Sequence, residues 1–187
     1  MIIWIPPHAI TIITSPGIII HEIAHRFFCD IFNVRVLKVR YLSFSSEASG
    51  YVIHEKNEKF YIDLLIGIAP FFVNSLICMF LTFPHVVSTI YTLGNNFNYA
   101  TSSIYYTASL ALYTLGIIIG ICAFPSKKDL VSPKELANTW FQKCLIAVIR
   151  ALNWPFNISM LGLFLKIYFA MILSYKLPYL FYRIALQ

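Results

Sequence analysis

The chain has 187 residues, a length that suits one domain. Apolar residues make up 59% and charged residues only 12%. A soluble globular domain carries about 25% charged residues, so this composition argues against one and for a membrane protein. The net charge is +6, but no Lys/Arg-rich run or recognition-helix pattern accompanies it, so nucleic acid is not an expected partner.

The first apolar segment covers about 8–28, and Pro6-Pro7 marks its start. Roughly 20 residues at about 1.5 Å each reach the thickness of a hydrocarbon core, so a membrane helix is expected. Met1-Ile2-Ile3-Trp4 lacks the basic start of a signal peptide, so the segment is expected to be retained. Ser15-Pro16-Gly17 is a candidate kink. Three isoleucines then run into His21-Glu22-Ile23-Ala24-His25.

This pentapeptide carries the chemistry. Residues four apart on a helix differ by about 400° of rotation, so both imidazoles project from one face. That spacing suits two ligands of one tetrahedral zinc ion. Glu22 lies about 100° round the helix, badly placed to ligate but able to act as a base on water. Ionisable groups in a membrane helix are costly and usually functional, which argues against a chance arrangement.

Beyond this segment, "VRVLKVR" alternates apolar and basic residues, "SSEASG" is a turn, and "YVIHE" is a second short strand. A small β-hairpin near the membrane surface is expected within about 34–53. The second apolar segment spans about 60–83, with Pro70 and Asn74 inside and Pro84 at its end. A polar, uncharged connection leads to a third segment at about 102–123, which ends in "AFPSKKD". From Leu64 to Ser126 there is no Asp, Glu, Lys or Arg. Residues 132–153 are expected to form one amphipathic surface helix, with Pro133 near its start. A fourth apolar segment follows at about 156–175, interrupted only by Lys166.

The expected fold is thus an all-α polytopic membrane protein. Three core helices occupy about 8–130, a hairpin follows the first of them, and amphipathic and apolar helices fill about 133–187. Lys and Arg cluster between segments one and two and between three and four, while the connection 84–101 has none. The positive-inside rule puts both clusters on the cytoplasmic side. That side then receives the end of segment one, with His21 and His25, and the end of segment three, with Asp129.

A hydrolytic zinc needs a third protein ligand. The chain has eight acids, and Asp129 alone follows a helix returning to the correct face. Glu47, in the hairpin turn, and Cys29, one turn beyond His25, are the alternatives. The four cysteines form no CxxC pair and suit buried apolar sites. His8, His54 and His85 read as interface or loop residues, and most aromatics as lipid-facing or interfacial.

The order HExxH, small β element, two helices and a Pro-containing turn with an Asp resembles the site-2 protease superfamily of intramembrane zinc metalloproteases. More narrowly, "SPGIIIHEIAH", "GYVIHE", "APFFVNS" and "AFPSKKD" resemble a compact group of prokaryotic, mostly archaeal, membrane metalloproteases. The resemblance covers about 15–130. It implies zinc held by His21, His25 and Asp129, Glu22 as the catalytic base, a membrane protein or peptide as substrate, and a site towards the cytoplasmic face of a prokaryotic plasma membrane. The superfamily's Asn-x-x-Pro and Leu-Asp-Gly elements are not matched: Leu130 replaces the Gly and no Asn stands upstream. Asn74 is a candidate substitute, either touching substrate or bonding between helices. Gly50, Tyr51 and Val52 are candidates to pair with an extended substrate, or to form a structural lid. The rival classes are a silent membrane metal-binding scaffold and a non-proteolytic membrane metalloenzyme.

Overall fold

A computed structural model describes residues 7–43, 49–95, 103–157, 159–176, 179–180 and 184. Helix α1 spans Pro7–Ile31, strands β1 and β2 span Val36–Arg40 and Tyr51–His54, α2 spans Phe60–Asn95 and α3 spans Ser103–Ile121. Helices α4 (Val131–Leu136), α5 (Trp140–Asn153) and α6 (Ser159–Met171) follow, with a 3-10 turn before α6 and a π-helical turn after it. The fold is mostly helical with one small hairpin, as expected.

Pro16 lies inside α1 without ending it. A proline frees the carbonyl four residues earlier, and the Ser15 hydroxyl donates to that atom, Ile12 O, at 2.8 Å. The helix stops at a Schellman motif. Asn33 takes a left-handed conformation at φ 52°, and Val34 N–H donates to Cys29 O at 2.8 Å.

The hairpin is antiparallel, pairing Val36 with His54, Val39 with Val52 and Arg40 with Tyr51, with a bulge between Val36 and Lys38. Ser43 N–H donates to Ser49 O beyond the Arg40–Tyr51 pair, at the loop end of the hairpin. The hairpin packs on α1, where Arg26 donates to the Tyr41 hydroxyl.

Helix α2 is longer than the expected segment. It continues through Pro84 to Asn95, 36 residues in all, because one lost backbone bond does not stop an apolar helix packed along α3. The Thr82 hydroxyl donates to Cys78 O and Met79 O just before the proline. His85 therefore sits in a helix rather than a loop, against the Ser109 hydroxyl of α3 at 3.1 Å. Small residues let the helices approach: a Cβ on Gly120 would lie 2.8 Å from Cys78 Sγ. Within α2, Phe60–Thr89 is long and apolar enough to cross a membrane, the one such helix among the described residues. Tyr106–Ile121 is a shorter apolar helix.

The expected amphipathic helix at 132–153 is two helices. Thr139 caps α5 in a capping box with Gln142: Gln142 N–H donates to Thr139 Oγ1 at 3.3 Å, and Thr139 N–H donates to Gln142 Oε1 at 3.1 Å. Phe60 and Leu64 of α2 pack on Ala137 and Ile146, which fastens this region to the core. Alone, α6 has 13 residues and rises about 20 Å, less than the roughly 30 Å of a hydrocarbon core.

Candidate metal centre

Helices α1, α2 and α3 pack against one another, and the end of α3 returns to the level of the α1 histidines. His21, His25 and Asp129 converge there. The two Nε2 atoms lie 3.3 Å apart. Asp129 Oδ2 is 3.4 Å from His21 Nε2 and 3.6 Å from His25 Nε2. The three atoms form a nearly equilateral triangle that could hold a metal ion.

The other ring nitrogens explain how this arrangement is set. His21 Nδ1 donates to Cys122 O at 2.8 Å, and His25 Nδ1 donates to Ile66 O at 2.7 Å. In a neutral imidazole a proton on Nδ1 leaves Nε2 as a lone pair. Both lone pairs therefore face the same point, with the carboxylate as the third donor. Backbone carbonyls that orient ligating histidines in this way are a usual accompaniment of metal sites.

Each acceptor carbonyl is available for a sequence reason. Pro70 has no N–H, so Ile66 O, four residues earlier, receives no helical bond from it and is free for His25. Cys122 O lies at the C-terminal end of α3, where the last carbonyls have no helical partner. It accepts from His21 and also from Asn74 Nδ2 at 3.2 Å.

Asp129 is pinned by its own turn. Ser126 N–H donates to Asp129 Oδ2 at 2.5 Å, and Asp129 N–H donates to Ser126 Oγ at 3.4 Å. Gly67 of α2 packs on the Asp129 carbonyl so closely that a Cβ would lie 2.5 Å from it. Asn153 Nδ2, from the end of α5, donates to Pro125 O at 2.7 Å and ties down the other side of the turn. Burial pushes the Asp129 carboxyl up, and with no metal bound it is held below the usual carboxylate range where His21 and His25 are protonated at Nε2 as well as Nδ1, a state that a metal on those nitrogens would replace.

Glu22 is buried but lines the same cavity as the triad, a space of about 1170 Å³. It stands against Gly50, where a Cβ would lie 2.8 Å from Glu22 Cγ and 3.0 Å from Oε1. Gly50, Tyr51 and Val52 all line the cavity. Among the described residues β2 pairs with β1 along one edge and with no strand along the other. His54 is also a lining residue, with Nδ1 directed to the Glu55 carbonyl.

Asn74 does not line the cavity. It is fully buried and donates to Gly17 O, Ile119 O and Cys122 O at 3.2–3.3 Å. Of the two expectations for it, the inter-helix bond matches this placement. It touches the site only through the Cys122 carbonyl shared with His21. Cys29 is fully buried in a cluster with Val34 and Ile66, behind the cavity lining and outside the group of converging ligand atoms, so its packing corrects its candidacy as a ligand. Glu47 lies outside the described residues.

Several groups at the site have no counterpart among the expectations. Buried Asp63 lines the cavity and accepts from the Ser132 hydroxyl of α4. Lys56 donates to Glu135 Oε2 at 2.8 Å, joining the chain after β2 to α4 at the cavity wall. Lys166 of α6 also lines the space. Comparison with known protein families, with characterised proteins and with solved structures gives no match.

Proposed function

We propose that this protein is an intramembrane zinc metalloprotease, with α1, α2 and α3 as membrane-crossing helices and the site towards the cytoplasmic face of a prokaryotic plasma membrane. The observation that carries the reading is the ligand triangle. Tetrahedral zinc with bonds of about 2.0–2.2 Å places its ligand atoms about 3.3–3.6 Å apart. The three separations here are 3.3, 3.4 and 3.6 Å. Two neutral imidazoles and a carboxylate are also a donor set that zinc accepts, with a fourth position left for water or substrate.

Zinc bound there would polarise the scissile carbonyl and bring the pKa of a water down to about 7. Glu22 takes a proton from the attacking water as its oxygen bonds to the carbonyl carbon. The C–N bond then breaks, and Glu22 returns the proton to the departing nitrogen. His21 and His25 stay neutral ligands because their Nδ1 protons are committed to Cys122 O and Ile66 O. The free edge of β2 suits an extended peptide, whose backbone would pair with Gly50–Val52 beside Glu22. A helical substrate hides its peptide bonds in its own hydrogen bonds, so a strand partner here promotes the extended form that can be cut.

The test is cleavage of a panel of membrane-embedded peptides by purified protein and by Glu22→Gln. The reading expects cleavage by the parent protein and a loss of at least about 100-fold in the variant, with metal retained. Equal cleavage by both refutes it, and so does a zinc-loaded parent that cleaves nothing.

A further inference from the structure

The inference concerns Lys166, and it rests on the reading of the cavity as a peptide-cleaving site. Lys166 interrupts an otherwise apolar helix, α6, and is half-buried. A cation in such a segment is costly unless its charge is answered, and it usually serves the interior of a helix bundle. It lines the same cavity as His21, Glu22 and Asp129.

No carboxylate answers it among the described residues. The cavity's acids are Glu22, Asp63, Asp129 and Glu135. Asp129 faces the two imidazoles, Asp63 takes the Ser132 hydroxyl, and Glu135 is bridged to Lys56. Glu22 is set against Gly50, on the hairpin side of the site. Cys122 lines the cavity with Lys166, and its thiol is no counter-ion. Cys122 packs against Gly17, one turn before His21.

The position is fixed by packing. Phe169, one turn after Lys166, packs against Phe124 at 4.7 Å and Phe71 at 5.7 Å between ring centroids. Phe124 stacks on Phe156 at 3.7 Å. This aromatic cluster joins α6 to the turn that carries Asp129 and turns the Lys166 face of the helix to the cavity.

We propose that Lys166 forms an anion-binding subsite that takes a carboxylate carried by the apolar peptide in the cavity. Two sources share that chemistry, a free C-terminus and an Asp or Glu side chain. The other cations that line the cavity are Arg40, Lys127, Lys128 and Lys56, the last bridged to Glu135; an ammonium–carboxylate pair at the half-buried Lys166 favours acid over amide by about 10-fold.

The experiment measures binding, by calorimetry in phosphatidylcholine nanodiscs, to zinc-loaded Glu22→Gln protein, so that no ligand is consumed. The ligands are an apolar decapeptide with a free C-terminal carboxylate, its C-terminal amide, and that amide with one internal Asp. The expected result is tighter binding of one or both carboxylate peptides than of the plain amide by about 10-fold. A preference for the free terminus alone identifies the C-terminal carboxylate, and a preference for the internal Asp identifies the side chain. Lys166→Met on the same background should bring the acid-to-amide ratio to about 1, and Lys166→Arg should keep most of it. Zinc content and Tm of each variant report its folding.

Equal affinities for all three peptides, or a preference that survives in Lys166→Met, overturn the proposal. So does displacement of acid and amide alike by phosphatidylglycerol, which would give the ammonium to a lipid phosphate. Cleavage of the same peptides by the Glu22 protein separates this inference from the reading beneath it. An acid preference without cleavage removes the protease reading alone. Cleavage without a preference removes the Lys166 assignment alone.

Discussion

Pro70→Ala separates helix stability from metal binding. Proline in a helix interior is less favourable than alanine by about 3 kcal/mol. Pro70 is fully buried, and alanine removes two methylenes, at about 0.8 kcal/mol each. The balance leaves the metal-free variant more stable by about 1 kcal/mol, a rise of roughly 2–4 °C in Tm for a chain of this size. The new N–H at position 70 points along α2 at Ile66 O, the carbonyl that accepts His25 Nδ1 at 2.7 Å. Sharing that acceptor loosens the tautomer and orientation of His25, and loss of such support typically lowers metal affinity by about 10–100-fold. Thermal unfolding in chelator, followed by zinc titration against a chromophoric competitor, reads both quantities. A variant with raised Tm and weakened zinc is expected. Unchanged zinc affinity would refute the role given to the freed carbonyl.

Other substitutions probe other parts of the site. Gly50→Ala puts a Cβ 2.8 Å from Glu22 Cγ and 3.0 Å from the Tyr41 carbonyl, so Glu22 or β2 must move by roughly half an ångström. A kcat loss of about 10–100-fold with zinc content unchanged is expected, and loss of zinc would mean that the clash spreads into the ligands. Asn74→Leu removes donors from three buried carbonyls and should lower stability by about 1–3 kcal/mol in chemical or thermal unfolding; no change would show the bonds to be idle. The Lys56 ammonium holds the Glu135 carboxyl below its ordinary range. The bridge's contribution is therefore complete above the unfolded-state pKa and is lost as pH falls through the lower folded-state value. Glu135→Gln should flatten the acid limb of a stability–pH curve slightly, and an unchanged limb would assign it to other carboxylates.

The histidine pair is legible in the sequence because four-residue spacing on a helix fixes a shared face whatever the rest of the fold does. Asp129 is legible only through topology, since it stands more than a hundred residues from His25 and needs α3 to return to the same level. The hairpin is legible from its alternation, but its bulge and its contact with Glu22 depend on tertiary packing. Pro84 misleads as a helix end because packing along α3 outweighs one missing bond. The division of 132–153 is written locally, in Thr139 and Gln142, but an amphipathic pattern running across the break hides it. The carbonyls that orient the histidines are harder to foresee. Pro70 identifies a free acceptor four residues earlier, yet nothing local says that a side chain from α1 will meet it. Lys166 announces itself as a charge in an apolar segment, but only the packing of Phe169 on Phe124 and Phe71 directs its helix face inwards.

The central claim is that His21, His25 and Asp129 hold one zinc ion. Its most direct test is metal analysis of protein purified in detergent, for the parent chain and for His21→Ala, His25→Ala and Asp129→Ala, with Tm confirming that each variant is folded. The account predicts about one zinc per chain in the parent and a loss of at least about 10-fold in affinity in each folded variant. Full zinc content in folded His21→Ala or Asp129→Ala would contradict it.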